Sequence, residues 1–114
     1  MTIEENHKVV AEISIIPIGK NYSTRATQTS MSKEIAFAFN AIKKNKEVKV
    51  ILTAMGTEIE ANNIQDILKS IEMAHKAMKD LGIKRIISTI RIDERLDKTD
   101  TLEDRVNSVK EKLN

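Results

Sequence analysis

The chain has 114 residues, of which 19 are basic and 17 acidic, giving a formal charge of +2. This length suits one domain, and the interleaved charges argue against a dedicated nucleic-acid surface. Since the chain contains no cysteine and no apolar run near the ~20 residues of a membrane span, it lacks a disulfide framework, a thiolate metal site and a transmembrane helix. The acidic, polar start does not resemble a signal peptide. We therefore expect one cytoplasmic domain over residues 1–114, with residues 1–8 as a flexible lead-in.

The run Val9–Ile18 predicts the first strand because it is rich in β-branched residues and is followed by Gly19. Glu12 and Ser14 alternate with apolar residues and therefore share one face of this strand. The opposite face is expected to meet the core through Val9, Ala11, Ile13 and Ile15. The next segment, residues 19–30, is a hydroxyl-rich loop that is long for a compact domain, which favours a mobile or functional segment.

Apolar spacing predicts the first helix directly after this loop. Ser30 or Ser32 is expected to cap its first turn, and the basic run at residues 43–46 suits its carboxyl end, where positive charge is favourable. The apolar positions at helical spacing are Met31, Ile35, Ala38, Phe39 and Ile42.

Two short β-rich runs, Val48–Thr53 and Thr57–Ala61, lie on either side of a lone glycine near the middle of the chain. Their spacing predicts a hairpin formed by strands two and three. Gly56 is expected to reverse the backbone between them, because glycine adopts positive φ without a steric cost.

The second half of the chain predicts a long helix, a strand and a shorter terminal helix. Asn62 or Asn63 is expected to cap the long helix and Gly82 to end it. The alternating run Lys84–Asp93 predicts strand four, and Thr101 is expected to cap the terminal helix. The apolar stripe of the long helix contains Ile64, Ile67, Leu68, Ile71, Ala74, Met78 and Leu81. The apolar positions of the terminal helix are Leu102, Val106, Val109 and Leu113.

The predicted order is β-α-β-β-α-β with a terminal helix, which is the α+β ferredoxin-like arrangement. Right-handed crossovers place strands one and three in the centre of an antiparallel sheet and strands two and four at its edges. Both long helices then cover one face of the sheet. The other face is uncovered unless the terminal helix or a second subunit covers it, which predicts association through a sheet face or edge.

Three segments resemble the signatures of a family of small thiamine-binding proteins: Ala11–Gly19, Leu52–Glu60 and Ile90–Lys98. They occur in the order found in that family, and the resemblance extends from about Val9 to Val109. It implies a ferredoxin-like fold and homotetramers built as dimers of sheet-paired dimers. It also implies binding of thiamine or its hydroxymethylpyrimidine half, with no cofactor and no established reaction.

The chain departs from the family pattern in two places. Ala54 stands where the family usually has proline between the threonine and methionine of the hairpin. The loop over residues 20–29 is longer than the usual connection, so its Tyr22 and Arg25 take no role from the resemblance.

Thiamine presents an aminopyrimidine edge and a cationic thiazolium ring, so a site for it needs hydrogen-bonding groups, apolar ring contacts and a carboxylate. The uncovered sheet face and the hairpin offer all of these. We expect ligand contacts from Glu12, Ser14, Thr53, Met55, Gly56, Thr57, Glu58 and Asp93. The alternative for these residues is a solvated strand face with ordinary cross-strand charge pairs.

The charged run Asp93–Lys98 has two interpretations, ligand contact or intersubunit salt bridges. Because strand four runs opposite to strand one, Asp93 is expected beside the start of strand one. Met55 and Thr57 are expected at the far end of that strand, near Pro17. If both groups contact ligand, a second subunit is expected to bring them together.

The sequence therefore predicts non-catalytic binding of thiamine or hydroxymethylpyrimidine by an oligomeric carrier, buffer or sensor, without nucleic-acid or membrane partners. A regulatory module for another small metabolite would have the same fold and stays an alternative. An acylphosphatase-like enzyme would hold phosphate with Gly19–Arg25, but one glycine is too few for a phosphate cradle. An RNA-binding sheet would need stacking aromatics, which strands one and three lack. His7 and a boundary residue, His75, are the only histidines, so no metal site is expected.

Overall fold

The computed structural model of the chain describes residues 7–19 and 29–114, so most of the predicted loop at 19–30, with Tyr22 and Arg25, lies outside the described residues. The elements are β1 (Val9–Ile18), α1 (Ser32–Lys43), β2 (Val48–Leu52), β3 (Thr57–Ala61), α2 (Ile64–Asp80), β4 (Arg85–Glu94) and α3 (Leu102–Lys110). The strands form one antiparallel sheet in the order β2-β3-β1-β4. The α+β ferredoxin-like arrangement is confirmed, with strands one and three in the centre.

Alternation along β1 decides which of its residues meet the helices. Val9, Ala11, Ile13 and Ile15 are all buried, as predicted, whereas Glu12 and Ser14 on the other face are partly exposed. The register places Ile59 of β3 beside Ala11, so the two central strands contribute adjacent apolar side chains. These side chains form one core with residues of α1 and α2, including Ala38, Ile42, Ile67, Ala74 and Met78. Each large aliphatic side chain buried there contributes about 1.5–3 kcal/mol.

The ends of α2 follow the local sequence signals. The side chain of Asn63 accepts a hydrogen bond from the Asp66 N–H at 2.9 Å and caps the first turn. After the last turn, Gly82 has a φ of 83°, and the N–H of Ile83 donates to the Met78 carbonyl at 3.2 Å. This left-handed glycine and its hydrogen bonds form a Schellman motif. Both predicted ends of α2 are confirmed.

The start of α1 differs from the prediction. Met31 occupies the N-cap position and makes no side-chain cap bond, because its side chain has no oxygen to accept one. Its backbone carbonyl accepts the first helical hydrogen bond, from the Ile35 N–H at 2.9 Å. The Ser30 hydroxyl accepts a bond from the Ser32 N–H at 3.3 Å one residue earlier. A serine at the N-cap position was therefore the wrong prediction.

The predicted hairpin is present, but its glycine has a different role. The positive φ values among the described residues belong to Gly19 and Gly82, not to Gly56. A Cβ atom on Gly56 would lie 2.8 Å from the carbonyl oxygen of Ile13, closer than side chains tolerate. The turn packs directly against β1, so Gly56 permits a close backbone approach rather than a reversal at positive φ.

The terminal helix α3 reaches the outer sheet face, defined here as the face opposite α1 and α2, through its first turn. Leu102 is buried, and its N–H donates to Glu60 Oε1 at 2.9 Å. Thr101 and Asp104 form a capping box, which confirms the predicted cap. Further along α3, however, Val106 and Val109 are more than half exposed. The helix therefore covers only one end of the outer sheet face.

Two residues of the predicted lead-in contact the folded domain. His7 Nε2 lies 2.9 Å from Glu94 Oε2, and Lys8 donates to Asn62 at 2.6 Å. Residues 1–6 lie outside the described part of the chain. Within that part, the helices are too short or too polar to cross a bilayer.

Candidate functional site

The hairpin turn and the middle of β1 enclose an apolar crevice of about 250 Å³, called here the hairpin crevice. It forms because β3 begins at Thr57, opposite Ile13, so the rest of β1 pairs with β4 but not with β3. Apolar side chains such as Ile15, Ile35 and Met31 supply most of its walls. Hydroxyl groups in the lining come from Ser14, Thr53 and Thr57.

Five of the eight predicted ligand residues line this crevice: Ser14, Thr53, Met55, Gly56 and Thr57. They differ in access. Met55 is 84% exposed at the tip of the turn, whereas Thr57 is 6% exposed and faces the helices. Thr53 and Met55 belong to the turn rather than to the outer sheet face on which the sequence pattern placed them.

The hydroxyl group of Thr53 closes the hairpin turn. It donates to the Gly56 carbonyl at 2.8 Å and accepts from the Gly56 N–H at 3.1 Å, beside a backbone bond from Thr53 N–H to the same carbonyl. A hydroxyl has one donor and two acceptor sites, so one acceptor remains for a ligand. The first role of this side chain is to hold the turn in shape.

The other three predicted residues, Glu12, Glu58 and Asp93, line a second depression of about 390 Å³ on the outer sheet face, called here the carboxylate hollow. Glu58, Glu12 and Arg91 are neighbours across β3, β1 and β4. Arg91 donates to Glu12 at 3.4 Å, although its own side chain is 82% exposed. Glu58 has no ion pair or side-chain hydrogen bond with any other described residue.

The two depressions are closer together than the sequence predicted. Thr57 pairs with Ile13, and Asp93 pairs with Val10, so they are three positions apart along β1, or about 10 Å. The expectation that Thr57 lies near Pro17 is wrong because β3 has only five residues and starts in the middle of β1. Thr57 faces the helices, however, whereas Asp93 lies on the outer sheet face. That a second subunit brings both groups to one ligand stays a prediction.

Gly56 lines the hairpin crevice and lies close to Glu12. A Cβ atom added to it would lie 3.6 Å from Cγ of Glu12, so the turn that walls the hairpin crevice also approaches the side chain that enters the carboxylate hollow. The crevice itself lies between the sheet and the helices, whereas the Glu12 and Glu58 carboxylates lie on the outer sheet face.

The run Asp93–Lys98 forms ion pairs within the chain. Asp93 pairs with Arg105 of α3, and Arg95 Nε donates to Asp97 at 2.9 Å. The hydrogen bond to Asp97 raises the pKa of Arg95, and the same bond lowers the pKa of Asp97. Asp100 lies 3.4 Å from Arg105 and 3.7 Å from Arg95, so these charges connect β4 to α3.

Sequence reasoning missed the role of Arg105. Arg105 contacts Asp93, which lies 12 positions earlier in the chain. No local spacing pattern in the sequence predicts a contact between residues so far apart. Arg105 also lines the carboxylate hollow, where it is 28% exposed.

Two further residues lie away from both depressions and also lacked a sequence signal. Glu34 is 1% exposed in the first turn of α1, where the helix dipole favours a carboxylate. His75 Nε2 lies 2.9 Å from the Ser88 hydroxyl and so connects α2 to β4. The described residues contain no cluster of three metal-ligating side chains.

Comparison with known proteins identifies the family to which the chain is similar. A family model described as thiamine-binding protein matches residues 11–110. A UPF0045 protein of Methanothermobacter thermautotrophicus is 35% identical and covers 92% of this chain and 99% of its own length. A UPF0045 protein of Methanocaldococcus jannaschii is 38% identical over 91% of this chain and 94% of its own.

Solved structures show the same fold. The crystal structure of a hypothetical protein from Methanocaldococcus jannaschii has a TM-score of 0.77 at 38% identity, covering 91% of this chain and 97% of that chain. The structure of a proposed thiamine biosynthesis/salvage protein from Thermotoga maritima has a TM-score of 0.69 at 18% identity, covering 90% and 98%. Since the family match runs from β1 to the end of α3, this chain belongs to the thiamine-binding protein family.

Proposed function

We propose that this protein binds thiamine or its hydroxymethylpyrimidine moiety without catalysing a reaction, as a cytoplasmic, oligomeric carrier, buffer or sensor. The observation that carries the proposal is the approach of Gly56, which lines the apolar hairpin crevice, to the side chain of Glu12, which lines the carboxylate hollow. Thiamine has the same two-part character, with a neutral aminopyrimidine ring linked to a cationic thiazolium ring. The family match supports this ligand class.

The hairpin crevice offers what an aminopyrimidine requires. The Ile13 carbonyl faces the hairpin turn, and backbone groups of alternate strand residues point to the same edge. The N–H and C=O of Ile15 are therefore expected to point past the end of β3. Pro17, which has no N–H, falls on the same edge and suits an edge that lacks a strand partner. A backbone donor beside an acceptor can pair with the ring nitrogen and exocyclic amine of the pyrimidine.

The carboxylate hollow offers what the thiazolium cation requires. Glu12 and Glu58 face each other across β1 and β3, and directly opposed like charges are unfavourable. Among the described residues, Arg91 forms an ion pair with Glu12 alone, at 3.4 Å. A cation beside Glu58 would relieve this repulsion and gain a charge pair.

Exposed apolar groups support the oligomeric part of the proposal. Ile90 and Ile92 lie on the edge strand β4, and both are more than one third exposed. Ile16 and Ile87 are neighbours on the outer sheet face and have similar exposure. A dimer through the β4 edge, paired with a second dimer through the outer face, would bury both sets.

The test is isothermal titration with thiamine and hydroxymethylpyrimidine, together with the mass of the protein in solution. Saturable binding near micromolar affinity, about 8 kcal/mol, is expected. Glu12→Gln should weaken thiamine binding while leaving hydroxymethylpyrimidine binding largely unchanged, since the latter lacks the thiazolium. Glu72→Gln, an exposed change on α2, is the matched control. If neither compound produces heat or a thermal shift, the ligand is another metabolite.

A further inference from the structure

We infer that a groove between α1 and α2 is a further binding site, for an anionic ligand of nucleotide size that joins an aromatic ring to a phosphate group. The groove, called here the interhelix groove, encloses about 780 Å³ and is open to solvent. It shares no lining residue with the hairpin crevice or the carboxylate hollow. The inference therefore does not depend on the proposed function.

Helical periodicity builds the floor of the interhelix groove. Phe37 and Ala41 are four residues apart in α1, and Met73 and Ala77 are four residues apart in α2, so each pair shares one face of its helix. The alanine side chains are shorter than those of Phe37 and Met73, which leaves a depression between the helices. Phe37 is 44% exposed, so part of its ring is accessible to a ligand in the groove.

Positive charge surrounds this apolar floor. Lys43, Lys44 and Lys46 come from the end of α1 and the residues after it, and Lys76 comes from α2. The one carboxylate among the described lining residues is that of Asp80, which pairs with Lys76 at 3.2 Å. The other three lysines form no ion pair with another described residue. The groove is therefore complementary in charge to an anion.

A helix terminus alone does not account for this arrangement. Lysines in the last turn of a helix complement its dipole, which explains Lys43 and Lys44. The same reasoning does not explain Lys46, which follows the helix, or the exposed aromatic ring of Phe37 in the same groove. A binding site that combines an apolar contact with cations accounts for all of these residues.

The turn that carries the lysines is fixed by Asn45. This side chain is buried, its Nδ2 donates to the Ser70 hydroxyl at 3.1 Å, and its Oδ1 accepts from the Glu47 N–H at 3.1 Å. Asn45 therefore holds the backbone of its neighbours, Lys44 and Lys46, against α2. A site whose backbone is fixed before binding loses less conformational freedom when the ligand binds.

The dimensions and the chemistry of the interhelix groove fit a nucleoside diphosphate. Because a helix rises 1.5 Å per residue, Phe37 and Lys44 are about 10 Å apart along the groove. An extended nucleoside diphosphate covers such a distance between its base and its outer phosphate. The base can stack on Phe37, and the amide of Asn40 can hydrogen-bond its edge, while the phosphates contact the lysines. The volume is also typical of a ligand pocket.

The experiment titrates the whole chain with ADP, adenosine and inorganic diphosphate. ADP should bind saturably at submillimolar concentration. Adenosine lacks the phosphates and diphosphate lacks the ring, so each should bind at least about 10-fold more weakly than ADP. High salt should weaken the binding of ADP, because the lysines are exposed and their charges are screened.

Variants locate the ligand in the groove. Lys44→Gln should weaken ADP binding about threefold or more, and Lys33→Gln, which changes an exposed lysine of α1 outside the groove, is its matched control. Phe37→Leu keeps an apolar side chain, so the fold should tolerate it, but it removes the ring and should weaken ADP binding about fivefold. Phe39→Leu makes the same change in α1 outside the groove and should leave ADP binding unchanged.

Several outcomes would overturn the inference. One is the absence of saturable ADP binding, and another is ADP binding that both Lys44→Gln and Phe37→Leu leave unchanged. Diphosphate that binds as tightly as ADP would reduce the groove to a patch for any anion and would remove the aromatic ligand. Binding of phosphatidylserine vesicles or of a polyglutamate peptide in place of ADP would assign the groove to a membrane surface or to an acidic segment of another protein.

Discussion

Replacing Gly56 with alanine tests whether the hairpin turn is held against β1. The new Cβ would lie 2.8 Å from the Ile13 carbonyl oxygen and 3.5 Å from its carbon, both backbone atoms of the central strand. The turn would have to move outward by several tenths of an ångström, and such overpacking costs about 1–3 kcal/mol. Because the φ of Gly56 is not positive, alanine also gains about 0.4–1 kcal/mol by restricting the unfolded chain. The expected net loss is about 1–2 kcal/mol.

Urea unfolding measures this loss as a lower midpoint with an unchanged slope. Gly82→Ala is the matched control. Apart from its chain neighbours, no described residue has an atom within 4 Å of the Cβ position of Gly82, but its φ of 83° makes alanine unfavourable. Both variants should lose stability, whereas only Gly56→Ala should also weaken thiamine binding by displacing the wall of the hairpin crevice. A Gly56→Ala protein as stable as the parent, or more stable, would refute the close approach of the turn to β1.

Two further predictions concern the turn and the terminal helix. Thr53→Val removes a hydroxyl that makes two hydrogen bonds to Gly56, and it should lower the free energy of unfolding in urea by about 1–2 kcal/mol. Thr53→Ser keeps the hydroxyl and should lose little stability. Equal stability of Thr53→Val and the parent would argue against the turn geometry. The hydrogen bond from the Thr101 N–H lowers the pKa of Asp104, so its stabilisation of α3 is present above the unfolded pKa near 3.8 and is lost as the pH falls through the lower folded value. NMR chemical shifts of Leu102–Lys110 should therefore show less helix in Asp104→Ala than in the parent at about pH 7, and a smaller difference at about pH 2.5. A difference that does not change with pH would contradict the stabilisation of α3 by the ionised Asp104 side chain.

Local signals in the sequence were sufficient for the elements and their order. The bounds of β1, the alternation of Val9 to Ile15, and the ends of α2 at Asn63 and Gly82 all agree with the structure. Each depends on residues a few positions apart, because strand alternation, capping and left-handed termination are short-range properties of the backbone. The ferredoxin-like topology then follows from the order of elements and the handedness of crossovers.

The arrangement of the candidate site depended on the tertiary structure. Only the register shows that β3 meets β1 at Ile13, that Gly56 is packed against that carbonyl, and that Arg105 reaches Asp93. These contacts join segments that are far apart in the chain. The alternation of apolar and polar residues also leaves the register open, because it is equally compatible with a strand that ends several residues earlier or later. The sequence by itself thus determined the faces and ends of the elements, whereas the position of one element along another was decided by packing.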